Sequence, residues 1–177
     1  RRDPITGVSE FPDIAEAPVA RPAAPARPDA VVPRRRYAEG FEQLRDRADA
    51  AATRPSVFLA NLGPIAVHTA RATFAKNFFE AGGIATIGNG GFDTPAAAAE
   101  AFAKSGTSVA CICSSDKVYD EHAEATAAAL RSAGARRVYL AGKRDTAGVD
   151  DQIFVGCNAL DILDRALNTI TDENGAG

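Results

Sequence analysis

Val57-Phe58-Leu59-Ala60-Asn61-Leu62-Gly63-Pro64-Ile65-Ala66-Val67-His68-Thr69-Ala70 is the stretch on which the fold turns. Its first four residues are apolar without alternation, the pattern of a strand buried on both faces. Asn61 to Pro64 reads as a short loop, and Ile65 opens a helix. In an open parallel α/β sheet the loop after the first strand lies at the carboxyl edge, where ligands bind.

Outward from this stretch, strands and helices alternate. A helix with Ala70, Phe74, Phe78 and Ala81 on one face is stopped by Gly82-Gly83. Ile84–Ile87 is the second expected strand, followed by a flexible turn, Gly88-Asn89-Gly90-Gly91. Thr94-Pro95 is a helix start with a cap and a proline at the first position. Val109–Cys113 is the third strand, and the helix after Ser114-Ser115-Asp116 buries Tyr119, Ala123, Ala127 and Leu130. Arg137–Ala141 and Gln152–Val155 complete five strands. The last helix, capped by Asn158 with Asp161 three residues on, buries Leu160, Leu163, Leu167 and Ile170. Strict alternation of this kind implies a flavodoxin-like, doubly wound α/β domain with a five-stranded parallel sheet in the order 2-1-3-4-5.

Upstream, residues 1–33 hold seven of the ten prolines and read as an extended linker. Residues 34–53 read as an amphipathic helix with Tyr37, Phe41, Leu44, Ala48 and Ala51 on one stripe. That stripe covers either its own domain or another subunit.

The 177 residues carry a net charge of −3, too little to imply nucleic acid or an acidic membrane surface as partner. No run approaches the roughly 20 apolar residues of a membrane helix, so the expectation is a cytoplasmic protein without nucleic-acid or membrane partners. The first residues are charged and then proline-rich, unlike a signal peptide. The absence of methionine suggests a segment of a longer chain. Cys111, Cys113 and Cys157 lack zinc-ligand spacing and read as buried thiols.

The carboxyl edge is poorly equipped for chemistry. A dinucleotide loop needs closely spaced glycines after strand one, and Asn61–Ala70 has only Gly63. A flavin-phosphate loop would need more hydroxyls than Thr69. A phosphoacceptor site would need carboxylates where strand one ends in Asn61. His68 could ligate a metal centre, but no acid lies near it in sequence to orient its second nitrogen, and the commoner reading is a hydrogen-bonded structural histidine. His122 reads as a solvated helix residue, and Ser114 and Ser115 have no assignable base. The residues alone describe a ligand-binding fold with a stripped site.

Several stretches together carry a resemblance. They are Val57 to Gly63, Thr69-Ala70-Arg71-Ala72-Thr73-Phe74-Ala75-Lys76-Asn77, Cys111 to Tyr119, Val138-Tyr139-Leu140-Ala141-Gly142, and Arg1 to Pro12. They resemble the small (β) subunit of methylmalonyl-CoA mutase, in its C-terminal cobalamin-binding-like domain and preceding linker. The resemblance implies a TIM-barrel domain before residue 1, a linker over 1–33, a linker helix over 34–53, the cobalamin-binding-like domain over 54–171 and a tail over 172–177. It also implies a heterodimer with a large (α) catalytic subunit, which binds adenosylcobalamin and interconverts succinyl-CoA and methylmalonyl-CoA by radical chemistry.

Cobalamin-binding relatives carry Asp-x-His-x-x-Gly, Ser-x-Leu and Gly-Gly at the carboxyl edge. Here Ala66 stands for the Asp, Arg71 for the Gly, Asp116 for the Leu and Lys143 for the second Gly. The expectation is therefore a structural subunit with no catalytic residue, no metal and no cofactor of its own. The alternative is a cobalamin-binding module that uses His68 as cobalt ligand, with Ser114 and Ser115 at the cofactor. A small-molecule sensor of the same fold is a weaker third reading.

Overall fold

The computed structural model describes residues 4–17 and 36–174. The rest of the expected linker, and residues 175–177 of the expected tail, lie outside the described residues. Residues 4–17 form turns and loops, with one bridge between Thr6 and Glu10.

The elements run α1 (Glu39–Ala50), β1 (Ser56–Asn61), α2 (Ile65–Glu80), β2 (Ala85–Ile87), α3 (Pro95–Ala103), β3 (Val109–Cys113), α4 (Asp116–Ser132), β4 (Arg137–Ala141), β5 (Asp151–Ile153) and α5 (Ala159–Asn174). The five strands pair in parallel in the order β2-β1-β3-β4-β5. This is the flavodoxin-like topology expected from the alternation, with the order reversing between β1 and β3.

Two apolar layers sandwich the sheet. On one face Val57, Leu59, Val109, Cys111, Cys113, Tyr139 and Ile153 pack against α1, α2 and α5. On the other, Phe58, Ala60, Ala110, Ile112, Val138 and Leu140 pack against α3 and α4. Alternate residues of β1, β3 and β4 thus bury opposite faces, which is why those strands read as unbroken apolar runs. The three cysteines are buried.

The Thr94-Pro95 start follows its sequence signal, whereas Asn158 Nδ2 donates to the Asp161 carboxylate. Thr94 Oγ1 accepts from the Ala97 N–H at 3.2 Å, with Pro95 at the first helical position. Ser115 caps α4 by accepting from the Val118 N–H. At the amino edge, Asp151 takes Arg137 at 2.8 Å and Arg165 at 3.0 Å, tying β4, β5 and α5 together.

Several local expectations differ, beginning with β1, which runs on through Asn61, and β2, which starts at Ala85 rather than Ile84. The fifth strand ends at Ile153 rather than Val155, because its neighbour β4 ends opposite it at Ala141. The Gly142 N–H closes the ladder on the Ile153 carbonyl at 2.9 Å, and Val155 is left 82% exposed. The face that α2 buries carries Ala75, Phe78 and Phe79, and Ala70 is exposed. Leu160 is exposed at 38%, while Ile162 and Ala166 join Leu163, Leu167 and Ile170 in the core. The first helix starts at Glu39, so Tyr37 lies outside it and is exposed.

The stripe of α1 covers its own domain. Leu44 and Ala48 are buried in the core layer that holds α5, with Phe41 packed against them. Docking is close because Gly83, in the left-handed region at φ +78°, passes directly beneath α1. A Cβ built there would lie 2.8 Å from the Ala48 Cβ and 3.2 Å from the Arg45 Cα.

Gly83→Ala combines left-handed strain with an overlap on the Ala48 methyl. It should cost about 2–4 kcal/mol. Gly88→Ala, where nothing lies within 4 Å, should change stability by less than about 0.5 kcal/mol. Chemical denaturation of both variants checks the difference.

Candidate functional site at the carboxyl edge

The edge above β1 and β3 is held by backbone bonds from three sides. The Leu62 N–H donates to the Cys113 carbonyl at 3.0 Å, the Gly63 N–H to Phe92 at 2.8 Å, and the Phe92 N–H to Asn61 at 2.8 Å. Side chains then take the carbonyls that remain. His68 Nδ1 lies 3.0 Å from the Gly63 carbonyl, so this nitrogen carries the proton and donates. Ser114 Oγ donates to the neighbouring Leu62 carbonyl at 2.8 Å. Asn89 Nδ2 donates to the Leu59 carbonyl at 2.6 Å, and its Oδ1 accepts from the Gly91 N–H at 3.1 Å.

His68 is only 3% exposed. Gly91 covers it so closely that a Cβ there would sit 2.8 Å from the imidazole Cε1. The glycine-rich turn expected to be flexible is therefore pinned through Asn89 and Gly91. Asn61 completes the group: its Nδ2 donates to the Asn89 carbonyl at 3.3 Å, while its buried Oδ1 has no partner among the described residues.

Tyr119, on the first turn of α4, binds the ends of β3 and β4 together. Its hydroxyl accepts from the Ser114 N–H at 2.8 Å. It donates to the carbonyl of Ala141 at 2.9 Å or of Ile112 at 3.1 Å. Burial pushes the phenol well above its ordinary pKa, so it stays a neutral donor. The sequence marked Tyr119 only as a buried helix residue. Its hydroxyl role had no signal beyond its place four residues after a serine-rich loop.

Arg71 lies across this cluster. Its guanidinium carbon is 4.9 Å from the Tyr119 ring centroid, and Nη2 bonds the Asp116 carboxylate at 2.7 Å. It occupies space that a side chain at 142 would need: a Cβ on Gly142 would be 2.8 Å from Nη1. The forces holding it are small. Asp116 is 73% exposed, so the ion pair contributes about 0–1 kcal/mol. Stacking on the ring adds roughly 0.5–1 kcal/mol. Against these, Nη1 is buried with no hydrogen-bond partner among the described residues, which costs about 1–3 kcal/mol. The closed position of Arg71 is thus close to balance.

Beside Arg71 a shallow apolar cleft of about 170 Å³ lies between α2 and the end of β5. The other sequence candidates are dispersed. Ser115 caps a helix, and His122 is a half-exposed side chain on α4. No group of three or more potential metal-ligating side chains occurs among the described residues. No helix there is long and apolar enough to cross a membrane.

Fold and edge together define a flavodoxin-like α/β domain whose carboxyl edge is bonded mainly to itself. Sequence comparison supplies the family. The chain is 53% identical over 172 residues to the methylmalonyl-CoA mutase small subunit of Streptomyces virginiae, covering 95% of this chain and 28% of that protein. It is 38% identical over 182 residues to the corresponding small subunit of Propionibacterium freudenreichii subsp. shermanii, again over 28% of its length. It is also 44% identical over 153 residues to a probable small subunit of Mycobacterium tuberculosis. No family model matches the chain. The chain belongs to the methylmalonyl-CoA mutase small subunit family and spans about a quarter of the length of these relatives.

Tyr119→Phe keeps the ring under Arg71 but strips a buried amide and a carbonyl of their partner. It should lower stability by about 1–3 kcal/mol, read as a drop in Tm with an unchanged far-UV spectrum.

Proposed function

We propose that this chain is part of a non-catalytic, structural subunit of an adenosylcobalamin-dependent methylmalonyl-CoA mutase heterodimer. In this reading a large α subunit carries the cofactor and performs the interconversion of succinyl-CoA and methylmalonyl-CoA. Residues 54–171 act as the domain unit, and the helix over 34–53 belongs to the linker in sequence but packs on that unit. The protein works in the cytoplasm, and its partner is the large subunit.

The observation that carries the reading is the state of the carboxyl edge. His68, Ser114, Asn89 and Tyr119 each give a hydrogen bond to the protein's own backbone. The side chains there do not fit a corrin. A cobalt held by His68 needs an exposed imidazole, and this one is covered by the Gly91 turn. A nucleotide tail needs depth, and the guanidinium of Arg71 fills the space beside Gly142. The alternative, His68 as cobalt ligand with Ser114 and Ser115 at the cofactor, requires lifting that turn and breaking the Ser114 bond to Leu62. The family name of the relatives supports a large-subunit partner, as a small subunit implies a larger one.

Hydroxocobalamin titrated into the full-length protein should leave the corrin absorption spectrum unchanged, while the protein co-purifies with the large subunit. A saturable spectral change that disappears in His68→Ala would overturn the reading in favour of the cofactor-binding alternative.

A further inference from the structure

The cleft beside Arg71 has a chemistry of its own. Phe74, Phe154 and Val155 supply apolar walls over the buried Ile153, and Gly142 and Arg71 close one end. The Lys143 ammonium lies 5.6 Å from the Phe154 ring centroid, so a second cation stands at the rim. No carboxylate lines the cleft among the described residues. Val155 is the most exposed large apolar side chain of the described residues, and it is there because β5 stops at Ile153. At about 170 Å³ the cleft is smaller than the roughly 300–1,000 Å³ of sites for drug-sized ligands.

Arg71 is weakly held on the side facing this cleft. One guanidinium nitrogen is buried and unpartnered, and the other bonds an exposed carboxylate. A long side chain held so weakly changes rotamer readily. Swinging outward, it would lengthen the cleft toward Tyr119 and bring its orphan N–H within reach of an entering anion. A carboxylate matches the planar guanidinium with two parallel hydrogen bonds.

We infer that this cleft binds a small carboxylate with a compact apolar body, with Arg71 serving as both gate and anion-binding group. The acid group pairs with Arg71, assisted by Lys143, and the apolar body lies on Phe74, Phe154 and Val155. This goes beyond the structural-subunit reading and does not depend on it, since it uses no cofactor and no catalytic step.

The test is a benzoate titration of the full-length protein at low salt, followed by ligand-detected NMR and calorimetry. Saturable binding is expected, at least about tenfold weaker for Arg71→Met and for the uncharged benzyl alcohol, since both remove the charge-assisted pair. Asp116→Asn, which removes the competing carboxylate, should bind benzoate more tightly. Lys143→Met, on a surface loop, serves as a second variant if Arg71→Met does not fold, and should weaken binding. Non-saturable binding, or equal affinity in folded Arg71→Met or Lys143→Met, would overturn the inference.

Discussion

Every strand end of a parallel sheet leaves backbone groups at the carboxyl edge that something must satisfy. In ligand-binding doubly wound domains, part of that edge is left open to a ligand. Here the protein satisfies it largely from within, and the rest of the structure follows from that constraint. Tyr119 ties β3, β4 and α4 through one hydroxyl. His68 and Ser114 take the adjacent carbonyls of Gly63 and Leu62, so the loop after β1 is fixed from both α2 and β3. Asn89 fastens the glycine-rich turn to β1. The bonds are individually modest, but they share one buried edge, so each leaves less polar surface for a ligand to claim.

The same constraint separates scaffold from site. The two apolar layers depend only on the alternation of faces along β1, β3 and β4. They would hold with an open edge or a closed one. What closes the edge is confined to a few side chains at the loop ends, His68, Asn89, Ser114 and Tyr119, with Arg71 lying across them. A fold can keep its core and change what its edge does, and membership of the small subunit family is consistent with such a change.

Much of the fold was legible because its signals are local. The unbroken apolar runs marked both-face burial, and Thr94-Pro95 marked a helix start. The order of the strands followed from chain connectivity. Less legible were features set by neighbours. Val155 looked like strand by composition, but a strand ends where its partner ends. Leu160 matched the helical period yet lies at the rim against Gly40 of α1, 38% exposed, and Tyr37 matched the stripe of a helix that begins after it. At the site, Arg71 was legible as a departure at a glycine position. Sequence did not show that its guanidinium would lie over Tyr119, because their contact joins two helices on opposite faces of the sheet. His68 was readable as a hydrogen-bonded structural histidine at the carboxyl edge, but not its partner, the Gly63 carbonyl, which no residue pattern reveals.

The central claim, that the carboxyl edge is closed by its own side chains, is tested most directly by the chemical accessibility of His68. The chain contains two histidines, and His122 is a half-exposed internal reference. Treating the native full-length protein with diethylpyrocarbonate and locating the modification by peptide mass spectrometry compares them in one experiment. A closed edge predicts rapid modification of His122 and strong protection of His68 that is lost on unfolding. Modification of both at similar rates in the native protein would contradict the account.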